Sequence, residues 1–373
     1  MSGQHPSGPR TMRLGVGSAL IGRRLVPGDV EVIDGRIAAL GLALPNGRGI
    51  AAAGLVDLQV NGFGGVDFFE SDAAGYRRAG EALLETGVTS YLPTFITAPE
   101  EQLIGALAEV PLNGARPRIA GVHIEGPFLA PRRLGTHPAS ARRDPDPILL
   151  ERLLEAGPVR LFTLAPELPG ALHLVEMLQA RGVTVSLGHT DATASEANTA
   201  FDLGVHTVTH LFNAMRPFTH RDPGIAGAAL ARDDVIVQII LDGIHLADDT
   251  ARLVWQAAAG RVALVTDAMA GAGLSDGPYS LGDVAVEVRD GVVRREDGVL
   301  AGSVLTMIDA VRNLHSLGVP LEAALQAATA VPARIIGADA GRIDLGAPAD
   351  IVVLSEELEI ERVLVGGEIR VAA

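Results

Sequence analysis

Apolar and polar positions alternate along this chain with two different periods. Near the start, Ser18-Ala-Leu-Ile21, Gly28-Asp-Val-Glu-Val-Ile33 and Arg36-Ile-Ala-Ala-Leu40 are short strand-like runs. Asp34-Gly35 between two of them is a hairpin signal. The C-terminal stretch repeats the pattern in Ala349-Asp-Ile-Val-Val-Leu354, Ile360-Glu-Arg-Val-Leu-Val365 and Glu368-Ile-Arg-Val371. Two β-rich ends around one long middle predict that the termini pair into a small β-domain. The middle alternates apolar runs with amphipathic helical patterns. Strands are expected near 54–60, 88–95, 118–125, 159–166, 182–189, 206–212, 235–242 and 261–267. Helices are expected over 73–86, 99–110, 147–156, 170–181, 194–203 and 248–258. Eight strands separated by helices favour a closed (β/α)8 barrel of the TIM type over an open sheet. The expected division is a disordered tail at 1–11, a β-sandwich domain from 12–53 plus 338–373, and a barrel over 54–337. A β-hairpin insertion is expected near 278–300, followed by closing helices at about 304–317 and 321–336, with Pro320 at a helix start.

Composition sharpens this picture. With 48% hydrophobic but only 3% aromatic residues in 373, the core must be mostly Val, Leu, Ile and Ala. The net charge of −15 argues against a basic nucleic-acid-binding surface and requires any anionic substrate to find a local cationic pocket. There are no cysteines, which excludes disulfides, iron–sulfur clusters and thiolate zinc sites and leaves His and carboxylate ligands. Residues 1–10 lack the apolar stretch of a signal peptide, and no apolar run reaches membrane-spanning length. A cytoplasmic protein that binds neither membrane nor nucleic acid is the expectation.

Four of the apolar runs end in residues that can bind or serve a metal: Gly121-Val-His-Ile-Glu125, Val183-Thr-Val-Ser-Leu-Gly-His189, Thr207-Val-Thr-His210 and Val262-Ala-Leu-Val-Thr-Asp267. His189 and His210 could each be an ordinary loop histidine, but two from consecutive strands with a carboxylate from an earlier one make a known catalytic zinc set. Glu125 shares a strand face with His123, and a carboxylate in a barrel mouth is costly unless paired or metal-bound. A salt bridge is the rival reading, and His123 reads as a packing or outer residue. Asp267 could cap a turn or serve as general base. The run Leu55-Val-Asp-Leu-Gln-Val-Asn61 ends only in Gln59 and Asn61, neutral amides that bind transition metals poorly.

Six segments then fall in order: His123-Ile-Glu-Gly-Pro-Phe128, Leu187-Gly-His-Thr190, Thr209-His-Leu-Phe-Asn-Ala-Met215, Leu241-Asp-Gly-Ile-His245, Leu264-Val-Thr-Asp-Ala268 and Leu300-Ala-Gly-Ser303. From about residue 15 onward the chain resembles the N-acetylglucosamine-6-phosphate deacetylase family of the amidohydrolase superfamily. The resemblance implies a metal-dependent hydrolase of the N-acetyl group of a sugar phosphate, in amino-sugar catabolism. It implies that Glu125, His189 and His210 bind the metal, that Asp267 is catalytic base and acid, and that His245 contacts the acetyl carbonyl and stabilises the oxyanion. It further assigns substrate contacts to Thr136, His137, Asn213, Ala214 and Arg221, the last acting in its own site or, as often in this family, in that of the neighbouring subunit of a homodimer, and to Leu300, Ala301 and Gly302, which close over the sugar. The Gln59-x-Asn61 form resembles the single-metal branch, so one divalent ion per subunit is expected. A Glu-His-His set accepts Zn, Fe, Mn or Co, with zinc the first choice. The galacto epimer is the nearest alternative substrate, followed by a non-catalytic sugar-phosphate binder and a metal-independent isomerase. His5, His173, His206 and His315 read as structural or solvated, and His220 as a neighbour of the phosphate site.

Overall fold

The computed structural model describes residues 10–43, 47–112, 114 and 116–372. Most of the expected tail, with His5, lies outside them. The middle of the chain forms the expected barrel. Its eight parallel strands are β1 (Leu55–Val60), β2 (Val88–Phe95), β3 (Val122–Glu125), β4 (Val159–Leu164), β5 (Thr184–Leu187), β6 (Thr207–Val208), β7 (Ile236–Ile239) and β8 (Val262–Leu264). Each pairs with the next in chain order. The circle closes less regularly, through a parallel bridge between Val60 and Ala268 and the Asn61 N–H on the Ala268 carbonyl.

Several expected elements differ in detail. The run at 118–125 splits into Arg118–Ile119 and β3. Gly121 sits at the break with φ +131, and a Cβ there would stand 2.5 Å from Arg160 Cβ. The sixth run keeps only two ladder residues, because the chain turns into left-handed conformations just after it. Helix Gly224–Ala231, between β6 and β7, has no counterpart among the expected elements. Its sequence, Gly-Ile-Ala-Gly-Ala-Ala-Leu-Ala, has no polar face, so no 3.6-residue period marks it. The last expected helix breaks in two, Leu321–Ala327 and Ala330–Ile335, where Thr329 leaves helical geometry and Pro332 cannot donate a helix bond.

The two ends of the chain build a sandwich against the barrel. Strands Glu368–Ala372, Ile360–Val365, Ile351–Leu354, Ile50–Ala53, Ser18–Ile21 and Arg24–Pro27 make one sheet in that order. Thr11–Arg13, Asp29–Ile33 and Arg36–Leu42 make the other, turned at Asp34 (φ +48) and Gly35 (φ +78) as the hairpin signal required. Strand periodicity shares residues between two cores. Ala51, Ala53, Ile351 and Val353 fill the sandwich, whereas Ala52, Val352 and Leu354 pack into the barrel cluster. After β8, Gly277–Leu281, Val284–Arg289 and Val292–Arg294 form the inserted antiparallel sheet, and its Leu281, Val286, Val288 and Val293 pack on Ile96, Met269 and Ala301 over the barrel mouth.

Candidate metal centre

Glu125, His189 and His210 end β3 or follow β5 and β6, and all three are buried. Glu125 Oε1 lies 3.1 Å from His189 Nε2 and 2.8 Å from His210 Nε2, and the two nitrogens are 3.2 Å apart. Ligand bonds of 2.0–2.1 Å arranged tetrahedrally put ligand atoms about 3.3 Å from one another. The three atoms therefore already form close to one face of such a polyhedron. His189 Nδ1 lies 2.8 Å from the Arg133 carbonyl, which can only accept. The ring hydrogen is thus on Nδ1, and Nε2 offers its lone pair to the shared centre. The cluster fits a divalent metal ion.

The surroundings favour a bound cation electrostatically. Burial would raise the Glu125 carboxyl, but the imidazoles packed around it, His189 first with His137 and His210, hold it well below its ordinary value. His210 loses basicity by burial, yet Glu125 more than restores it and leaves the ring above its usual value. Asp267, which follows β8, stays apart from the trio. Burial first, then the Glu125 charge, pushes its carboxyl up to about 6. An acid with that value near neutral pH suits proton transfer.

Gln59 and Asn61 do more than leave ligand positions empty. Gln59 Nε2 is 3.1 Å from Glu125 Oε2 and 3.0 Å from Asp267 Oδ1, and Asn61 Nδ2 is 2.7 Å from the same Asp267 oxygen. Two amides thus hold two like-charged carboxylates at fixed places without adding charge. Asp57, buried two residues earlier, accepts from Thr266 Oγ1 at 2.5 Å and from the backbone N–H groups of Thr266 and Gln59 at 3.2 Å. These polar side chains, at every second position of β1 in an otherwise apolar run, point into the barrel. That spacing was the available sign of their role.

The backbone around the cluster is unusual. His189, His210, Ala214 and Asp267 have φ of +49, +27, +49 and +51. Each such residue costs about 1–3 kcal/mol unless its surroundings impose the conformation. They do so here: Ala130 N–H binds the His189 carbonyl, Glu167 binds Thr190 Oγ1 and Asp191 N, and Ser303 N–H binds the Asp267 carbonyl.

A cavity of about 260 Å³ opens above the trio. The residues brought to it include Thr136, His137, Asn213, Ala214, His245, Asp267, Leu300 and Gly302. Ala301 turns away into the apolar cluster beneath the inserted sheet. Arg221 is also not among the lining residues; it is exposed, with its Nε 3.0 Å from His220 Nε2. His137 Nδ1 lies 3.2 Å from the Thr97 backbone nitrogen, which can only donate, so its hydrogen is on Nε2, 3.6 Å from Glu125 Oε2. Burial and His189 keep that ring neutral, lowering it to about 4. His123 lies deeper, between Thr94 and Thr163, lowered to about 4 by burial. Ile96, Ile240, Leu281 and Val299 complete the wall and carried no chemical signal in the sequence. Of the remaining histidines, His173 faces Glu176, His206 meets the Ile335 carbonyl and His315 the Val319 carbonyl.

A barrel whose strand ends gather Glu, two His and a separate Asp, with a cavity above them, defines a metal-dependent hydrolase. The chain belongs to the amidohydrolase family, whose model matches residues 50–370, and within it to the N-acetylglucosamine-6-phosphate deacetylases. The deacetylase of that name from Mus musculus is 38% identical over 344 residues, covering 87% of this chain and 84% of the mouse protein. A mutant of the Mycobacterium smegmatis enzyme, solved in complex with N-acetyl-D-glucosamine-6-phosphate, superposes with a TM-score of 0.93 at 35% identity, covering 98% of this chain and 100% of that one. An N-acetylgalactosamine-6-phosphate deacetylase from Escherichia coli O157:H7 is 34% identical over 323 residues, covering 84% of this chain and 86% of that protein. Among the described residues, no helix is long and apolar enough to cross a membrane.

Proposed function

We propose that this protein hydrolyses N-acetylglucosamine 6-phosphate to glucosamine 6-phosphate and acetate, using one divalent metal ion, zinc, held by Glu125, His189 and His210. The observation that carries the reading is the separation of roles at the barrel mouth. Three converging ligand atoms leave Asp267 free but fixed by Gln59 and Asn61 beside them. A divalent ion in that cluster supplies Lewis-acid polarisation of the acetamide carbonyl and makes water more acidic.

The chain's own groups do the rest. The Asp267 carboxylate takes a proton from the attacking water as the C–O bond forms. It returns that proton to the amine nitrogen as the C–N bond breaks, releasing acetate. His245 donates to the developing oxyanion, an interaction whose loss costs about 3–4 kcal/mol in well-placed cases. Thr136 and His137 contact the sugar, Leu300 and Gly302 cover it, and the Asn213 side chain and Ala214 backbone face its phosphate. Ala301 supports this cover from beneath.

Among the described residues no arginine lines the cavity, so a phosphate there lacks a permanent positive partner. We assign that charge to Arg221 from a second copy in a homodimer. The apolar groove beside its loop, lined by Phe218, Leu230, Leu246 and Leu253 among others, supports this arrangement, since Phe218 and Leu253 are 53% and 65% exposed in the single chain. A cytoplasmic location fits a phosphorylated substrate. The N-acetylgalactosamine 6-phosphate reading draws on the Escherichia coli relative. Acetate release from both sugar phosphates by metal-replete protein, with metal content measured alongside, tests these assignments. Higher catalytic efficiency on the gluco epimer and about one metal per chain are expected; absence of acetate from both sugars would overturn the reading.

A further inference from the structure

The loop after β7 contains a carboxylate–imidazole pair whose geometry dictates more than a ring's orientation. Asp242 Oδ1 accepts the backbone N–H groups of Ile244 and His245, both at 2.8 Å, while Oδ2 lies 2.7 Å from His245 Nδ1. The two side chains are largely buried, at 14% and 6% exposure. Burial alone would raise the Asp242 carboxyl, but the His245 ring and the two N–H donors bring it below its ordinary value. An ionised carboxylate can only accept, so the hydrogen facing it must sit on Nδ1. A neutral His245 then turns a bare lone pair at Nε2 toward the cavity, and only the doubly protonated ring has a hydrogen there to give.

We propose that Asp242 is a positioning residue that fixes the hydrogen of His245 on Nδ1, so that His245 donates to the acetamide oxygen only as an imidazolium. The inference rests on the reading of His245 given under the proposed function. Charged and titratable groups surround the ring. Asp242 adjoins it, Asp267 faces it from the end of β8 with an interaction between the two, and Glu125 lies across the cavity. Among the described residues lining the cavity, the basic groups are His137, His189 and His210, the first neutral by burial. The other side of the ring borders an apolar groove with no charged group among its described lining residues.

The substitution Asp242→Asn separates this role from simple packing. Its oxygen must replace Oδ1, because two backbone N–H groups there can only donate. Its NH2 group then faces His245 Nδ1, which must accept, and the ring hydrogen moves to Nε2. The neutral ring in the variant is therefore a donor toward the cavity. In D242N kcat at neutral pH should stay within about tenfold of the unaltered enzyme, the difference between a charged and a neutral donor. D242A, which loses both the turn cap and the ring contact, should fall by about 100-fold. Nitrogen-15 NMR of histidine-labelled, metal-replete protein gives a reading independent of turnover, with His245 assigned by its absence in H245Q. The neutral ring should carry its hydrogen on Nδ1 in the unaltered protein and on Nε2 in D242N. A neutral ring with its hydrogen already on Nε2 in the unaltered protein, or still on Nδ1 in D242N, would overturn the inference. If the unaltered enzyme turned over neither sugar phosphate, the functional reading would fail while the NMR result still decided the pairing.

Discussion

The two ends of the cavity are built on opposite plans. At the metal end, Glu125 and Asp267 accept from the Gln59 and Asn61 amides, His189 donates to the Arg133 carbonyl, and His189, His210 and Asp267 lie in a left-handed backbone that the surrounding bonds impose. At the outer end, the arginine assigned to the substrate stands exposed and is not among the residues lining the cavity. The contrast follows from what each end must do. Proton transfer and metal binding tolerate little displacement, so that end is buried and over-determined. A phosphate needs charge more than exact placement, and such charge can come from a second chain.

Substitutions at the two ends should therefore differ in size and in kind. The largest effect is expected from Asp267→Asn, which keeps the amide bonds' neighbourhood but removes the base. A fall in kcat of about 10³-fold is expected, with metal content and circular dichroism unchanged. In the unaltered enzyme the base must be ionised, so kcat should drop as pH falls through about 6, the value to which burial and Glu125 raise the carboxyl. Near-normal turnover in the variant would remove Asp267 from its role.

Arg221→Ala should act at the outer end alone. We expect KM for the sugar phosphate to rise about tenfold, the order of one charge-assisted hydrogen bond, with kcat little changed. An equal fall in kcat would show that the two ends are not independent.

A smaller effect probes the foundation of the buried end. Asp57 is raised by burial from 3.8 to about 7, against the pull of its bonds from Thr266 and Gln59. Because the folded value exceeds the unfolded one, its contribution to stability is complete below about pH 4 and is lost as pH rises through about 7. Metal-free protein should lose stability between pH 5 and pH 8 relative to Asp57→Asn. Urea unfolding at the two pH values measures this, and a gap that did not change with pH would contradict it.

Much of the fold could be read from periodicity. Helices Pro147–Ala156 and Asp248–Ala258 follow their amphipathic patterns to the residue, and all eight barrel strands fall within the expected runs. Helix Gly224–Ala231 could not be read, because a segment of Gly, Ala, Ile and Leu alone has no polar face to mark it. Among site residues, Glu125, His189, His210 and Asp267 announced themselves as polar groups ending apolar runs. Arg221 carried its motif but not its place, since an exposed loop is fixed by what packs on it and not by its own pattern.

The sequence by itself determined which strands end in chemistry and that the floor of the site has neutral amides at Gln59 and Asn61. Only the tertiary structure decided what those amides do, because their partners lie 66 and more residues away and meet them only when the barrel closes. The same holds for the hydrogen on each imidazole. That position depends on whether a carbonyl, a carboxylate or an N–H stands opposite, and such neighbours are chosen by folding.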